Sequence, residues 1–129
     1  MQNQNSKFKI KLKDRAYQYS IKIIEFLDTL PKDTSTGVIA KQLLRSATSI
    51  GANITEAQAS SSKRDFTNFL TYSLKSANES LYWLGLLRDA KKINNTKLEY
   101  LLNETKELAN ILGSSILTLK GKKFVSFVS

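Results

Sequence analysis

Residues 7–13, KFKIKLK, alternate lysine with apolar side chains, which is the period of a strand. From residue 16 onward the apolar positions recur with helical spacing instead. The spacing predicts a helix over 14–30, with Tyr17, Ile21, Ile24 and Leu27 on one face and Ile23, Phe26 and Leu30 beside it, ended by Pro31 and the polar KDTST segment. A second helix is predicted over 35–60, where Leu43, Ala47, Ile50, Ile54 and Ala57 follow a strict 4-3-4-3 seam interrupted by Gly51, a residue suited to close helix approach. A third runs over 63–91 on Phe66, Leu70, Ser73, Ala77, Ser80, Leu84 and Leu87. Ser62 and Asp65 form a capping-box pattern at its start. A fourth runs over 96–120 on Leu98, Leu101, Thr105, Leu108, Leu112, Ser115 and Leu119, with Thr96 and Glu99 as the cap and Gly121 as the stop.

Short connections between long helices favour antiparallel neighbours. The expected fold is therefore all-α: an up-down-up-down antiparallel four-helix bundle, one domain, with a basic N-terminal arm (1–13), the bundle (14–120) and a C-terminal tail (121–129). In that topology the first and last helices end on the same side. The tail KKFVSFVS also has period-2 character, so arm and tail are candidates for a short β-ribbon. The competing reading is that the first helix starts early, at Phe8, because Phe8, Leu12 and Ala16 have i, i+4 spacing.

Charge sharpens the picture at the two ends. The chain carries a net charge of +9 over 129 residues. Lys7, Lys9, Lys11, Lys13 and Arg15 stand against Asp14 alone, and Lys120, Lys122 and Lys123 have no acid near them in sequence. The stretch 16–117 is close to balanced, with twelve basic and ten acidic residues. Surplus cations at chain ends attract phosphate or an anionic surface. Lys7, Lys9, Lys11, Lys13, Lys120, Lys122 and Lys123 are the candidate nucleic-acid contacts, made to phosphate and hence sequence-tolerant and salt-sensitive.

Beside the seam of the second helix lies a polar line: Gln42, Ser46, Ser49, Asn53 and Glu56, with Arg45 adjacent and Glu79 of the third helix as a candidate neighbour. Small and amide side chains suit a close, hydrogen-bonded interface between helices or subunits, or a ligand site. Histidine and cysteine are absent, which removes histidine-based nucleophile systems, the usual zinc sites and the helical di-iron pattern. No phosphate-binding glycine loop is present. No catalytic residue, metal or cofactor is expected, and an enzyme is disfavoured. No apolar run is long enough to span a membrane, and the N-terminus lacks a signal-peptide core, so a cytoplasmic protein is expected.

The run KQLLRSATSIGANITEAQASSSKRDF, followed by LKSANESLYWLGLLRDA, closely resembles the bacterial four-helix-bundle family of 23S ribosomal RNA intervening-sequence proteins. Family members look like QLLRSxTSIGANxxEA, then SKxDF, then KExxExxYWLxLL. Gln42, Arg45, Ser49, Asn53 and Glu56 match the first block, Ser62, Lys63, Asp65 and Phe66 the second, and Lys75, Glu79, Tyr82 and Trp83 the third. The chain departs at Ser73 and Ser76, where members often carry alanine and glutamate. The resemblance covers about residues 14–120 and implies a left-handed bundle that assembles as a homopentamer. A related protein of diversity-generating retroelements, a basic pentamer, binds nucleic acid and a reverse transcriptase. No catalytic residue is carried over. Two functions are thus expected: RNA or DNA binding by a symmetric oligomer, or a protein-interaction scaffold with an unidentified partner. A membrane-surface role for the arm ranks third, since only three apolar residues would insert.

Overall fold

The computed structural model describes the backbone of residues 4–121 and the side chains of residues 12–121. These form four helices and no strand: α1 (Gln4–Leu27), α2 (Thr34–Ala59), α3 (Lys63–Asp89) and α4 (Thr96–Lys120). Each packs on its neighbour in sequence, and α1 packs on α4. One continuous apolar core lies between them.

KFKIKLK is helix. Residues 7–13 lie inside α1, which starts at Gln4, so the early-helix reading replaces the strand and the N-terminal half of the ribbon. Its alternation is overruled by continuity with a longer pattern. Leu12, Ala16, Tyr19, Ile23, Phe26 and Leu30 are buried and spaced 4-3-4-3-4, and extending a formed helix is far easier than nucleating an isolated ribbon. The tail proposed as the second strand, 122–129, lies outside the described residues.

The same seam corrects the predicted face of the first helix. Tyr17, Ile21 and Ile24 are 65%, 37% and 47% exposed. Two apolar lines compete on α1, and the losing one meets Asp14 and Asp28 at its ends, where burial would strand a carboxylate. The winning line meets no charge from Leu12 to Leu30 and sets Ala16 against Gly51 of α2. Burying side chains the size of Ile23 and Phe26 stabilises by about 1.5–3 kcal/mol each.

The other seams follow the sequence closely. Leu43, Ala47, Ile50, Ile54 and Ala57 are all buried in α2, and so are Leu70, Ser73, Ala77, Ser80, Leu84 and Leu87 in α3. In α4 the buried line is kept to Leu112 and then steps to Ile116 rather than Ser115, exchanging a hydroxyl for a larger apolar side chain.

The ends are set by local hydrogen bonds. Asp33 caps α2 by accepting from the Thr36 N–H, and Ser62 caps α3 by accepting from the Asp65 N–H at 3.1 Å. The cap of α4 is Asn95 and not Thr96: its Oδ1 accepts from the Leu98 N–H at 2.9 Å, which leaves Glu99 in the first turn, where a negative charge complements the helix dipole. Gly121 closes α4 at φ 90°, a backbone region that favours glycine.

Candidate functional site

Side-chain pairs join α2 to α3 and α1 to α4. Arg45 bonds Glu79, Ser46 bonds Ser80, and the Ser73 hydroxyl donates to the Ile50 carbonyl at 2.8 Å. Arg15 bonds Glu104, and Lys22 stands over the Tyr100 ring, 5.5 Å from its centroid. From Ser46–Ser80 to Ile50–Ser73 the numbers rise along α2 and fall along α3, and from Arg15–Glu104 to Lys22–Tyr100 they rise along α1 and fall along α4.

Of the candidate nucleic-acid contacts, Lys7, Lys9 and Lys11 belong to the first turns of α1 by backbone, and their side chains lie outside the described residues. Lys13 is exposed on α1, and Lys120 is exposed in the last turn of α4. Lys122 and Lys123 also lie outside the described residues. The arm is therefore the leading end of a bundle helix.

The polar line on α2 resolves into two kinds of position. Gln42, Arg45 and Glu79 form one cluster across α2 and α3. The Arg45 guanidinium donates to Glu79 and to the Gln42 side-chain oxygen (3.1 Å), and the Trp83 indole N–H donates to the same Glu79 oxygen at 2.9 Å. Tyr82 meets the Trp83 ring edge-on at 5.0 Å between centroids. The Arg45 and Glu79 side chains are 58% and 35% exposed, so the pair adds at most about 1 kcal/mol to stability. What it does is hold a cation beside an indole on an open face. Ser49 and Asn53 instead turn back on their own helix: Ser49 donates to the Arg45 carbonyl and Asn53 to the Ser49 carbonyl. They do not bridge to α3. Glu56 is exposed.

Ser46, the remaining member of that line, is fully buried and belongs to a polar layer that the sequence did not reveal as such. Its hydroxyl lies 2.9 Å from that of Ser80, which donates to the Ser76 carbonyl. Beside them the Tyr19 phenol lies 2.6 Å from the Thr105 hydroxyl, which donates to the Leu101 carbonyl. One side chain from each of the four helices thus meets at this level of the core. Burial pushes the Tyr19 phenol up to about 12, against the lesser opposing pull of its hydroxyl partners. The signal was present in part, because Ser80 and Thr105 occupy seam positions where an aliphatic residue is the default. Tyr19 was missed because the wrong face of α1 was read as buried.

A second clasp joins α1 to α4. The Arg15 guanidinium donates to both oxygens of Glu104, at 2.9 and 2.7 Å, and lies 3.5 Å from Glu107. The Glu104 hydrogen bond is the main cause that raises Arg15 above its ordinary value. At the far end of the bundle, Lys91 bonds Asp33 at 2.8 Å and holds its carboxyl well below the usual carboxylate range, aided by Thr36.

Among the described residues no group of three or more acidic or metal-ligating side chains could hold a metal ion. No helix among them is long and apolar enough to cross a membrane.

Comparison with curated proteins finds no match. Among solved structures, the chain is similar to a protein of unknown function from the S23 ribosomal protein family of Bacteroides thetaiotaomicron. The two share 39% identity and a TM-score of 0.75, over 81% of this chain and 97% of that one. The model of the 23S rRNA-intervening sequence proteins matches residues 9–114, most of the described bundle, including the Gln42–Arg45–Glu79–Trp83 cluster and all four members of the polar layer. The chain therefore belongs to the 23S rRNA-intervening sequence protein family.

Proposed function

We propose that this protein is a non-enzymatic nucleic-acid-binding module of the cytoplasm. It is a left-handed bundle of alternating, up-down-up-down antiparallel helices that assembles as a homo-oligomer, a pentamer by family resemblance. It grips RNA or DNA phosphates through Lys7, Lys9, Lys11, Lys13, Lys120, Lys122 and Lys123. The observation that carries this reading is the register of α1 against α4. Arg15 lies beside Glu104 and Glu107, and numbers fall along α4 as they rise along α1. Followed at about 1.5 Å per residue, this register brings the start of α1 and the end of α4 to one pole. The surplus cations of both chain ends then collect there, and an assembly repeats them around its symmetry axis.

A scaffold without direct nucleic-acid contact is the second reading, favoured by the exposed aromatic residues Tyr72 and Tyr82 on α3. One titration separates the two. Binding of a short single-stranded RNA and of a duplex DNA is measured from low to physiological salt, with the wild type and with the seven lysines changed to glutamine. The nucleic-acid reading expects log K to fall linearly with log salt for the wild type, and a flattened slope for the variant. Undetectable binding by the wild type at low salt selects the scaffold.

A further inference from the structure

We infer that the outer face of α3 is a stacking strip for single-stranded nucleic acid, on which Tyr72 and Tyr82 take bases and Lys75 between them takes phosphate. This rests on the reading above, that the protein binds nucleic acid, and names the form it selects: an unpaired strand rather than a duplex. Tyr72 and Tyr82 are 50% and 61% exposed. On a helix, their sequence positions place them about 15 Å apart along the axis and within about 80° around it, and Lys75 falls inside the same sector. Each ring is braced edge-on by the half-buried ring beside it, Tyr72 by Phe69 at 6.1 Å between centroids and Tyr82 by Trp83 at 5.0 Å. A braced ring loses little further freedom when a base stacks on it.

The charge around the rings suits a nucleic-acid strand. Lys75 is exposed and, among the described residues, makes no ion pair or hydrogen bond. Glu79 is the one acid between the two rings along α3, and it is taken up by the Arg45 guanidinium and the Trp83 indole N–H. The clasp from α2 thus offsets the carboxylate that would otherwise repel phosphate. The other exposed tyrosines lack this setting. Tyr17 shares its groove with Asp14, and the Tyr100 ring already has Lys22 over it, with Glu99 beside it in sequence. Bases in a duplex stack on one another and offer no face to a tyrosine, whereas those of an unpaired strand do. At about 3.4 Å per nucleotide the rings hold bases about four apart in a stacked strand and fewer in an extended one, and the backbone between them crosses Lys75.

The test uses the full chain with the same single-stranded RNA and duplex DNA. Tyr72→Ala/Tyr82→Ala is compared with Tyr72→Phe/Tyr82→Phe, with Lys75→Gln, and with Tyr100→Ala as an exposed ring outside the strip. Thermal melts verify that each remains folded. The alanine pair is expected to weaken RNA binding by at least about fivefold per ring at an unchanged salt slope, since no charge is lost, while duplex binding holds. The phenylalanine pair should bind as the wild type does, because the ring face stacks and the hydroxyl does not. Lys75→Gln should lower the RNA salt slope by about 0.7 for each subunit in contact. RNA should also change the emission of Trp83, the single tryptophan, through the base on Tyr82. The inference is overturned, with phosphate binding by the lysines left standing, if the alanine pair binds RNA like the wild type, loses as much on the duplex, or loses no more per ring than Tyr100→Ala. A phenylalanine pair as weak as the alanine pair overturns it too. Failure of the wild type to bind either nucleic acid overturns both readings and returns the two rings to a protein partner.

Discussion

At the scale of single residues, the polar layer is the feature with the clearest consequence. Tyr19 is buried and bonded, and its phenol is pushed up to about 12, while the unfolded chain returns it to about 10. The folded state therefore favours the neutral phenol. Its contribution is intact below about pH 10 and is lost as pH rises from there toward 12, up to about 3 kcal/mol over that window. Tyr19→Phe removes the term. The variant is expected to lose about 1 kcal/mol at neutral pH, from the missing hydrogen bond, and to show a flatter decline than the wild type between pH 10 and 12. Urea midpoints across that range check both statements, and parallel declines would refute the second. The residue scale is also where sequence reading reached least far. A serine or threonine in a seam is visible, but which hydroxyl meets which depends on the axial register of four helices, and no single segment encodes that.

At the scale of elements, the helices were legible because long runs of 4-3 spacing leave little choice, and α2 and α3 buried the lines their sequences indicate. The misreading of α1 has a specific cause. Its two apolar lines have similar content, and the decision rests on the charged ends of one line and on a small residue, Ala16, that the other line sets against α2. Gly51 looks like the residue that permits this approach, yet the contact distance says otherwise. A methyl group placed there would meet Ala16 at 3.4 Å, an ordinary van der Waals separation. Gly51→Ala should therefore keep the α1–α2 packing and gain helix propensity, raising stability by about 0.5–1 kcal/mol. Gly51→Val adds bulk and β-branching at the same contact and should lower stability. A destabilising alanine in equilibrium unfolding would mean that the approach is tighter than this geometry.

At the scale of the whole molecule, the charge excess at the chain ends was readable from the order of residues, whereas the surfaces that would join subunits were not, because exposure is a tertiary property. Tyr17, Ile21 and Ile24 of α1 and Leu44 of α2, 39% exposed, are large apolar side chains left open, and Tyr17 lines a groove of about 460 Å³ with Thr48, Gly51 and Ala52. Large apolar groups in a row on a water-facing surface are costly unless something covers them, and the proposed oligomer supplies a cover. This face then has to be desolvated in the assembly, so charge introduced there should disrupt association without touching the core. Tyr17→Glu/Ile24→Glu is expected to lower the light-scattering mass toward the single-chain value of 14.5 kDa while the helical signal is retained. Tyr72→Glu, on the outer face of α3, serves as the comparison and should leave the mass unchanged. Dissociation by the α3 change with none by the α1 pair would move the interface to α3. Where the α1 pair does dissociate the assembly, the salt slope for RNA should fall as well, because each complex then brings fewer basic poles to the strand.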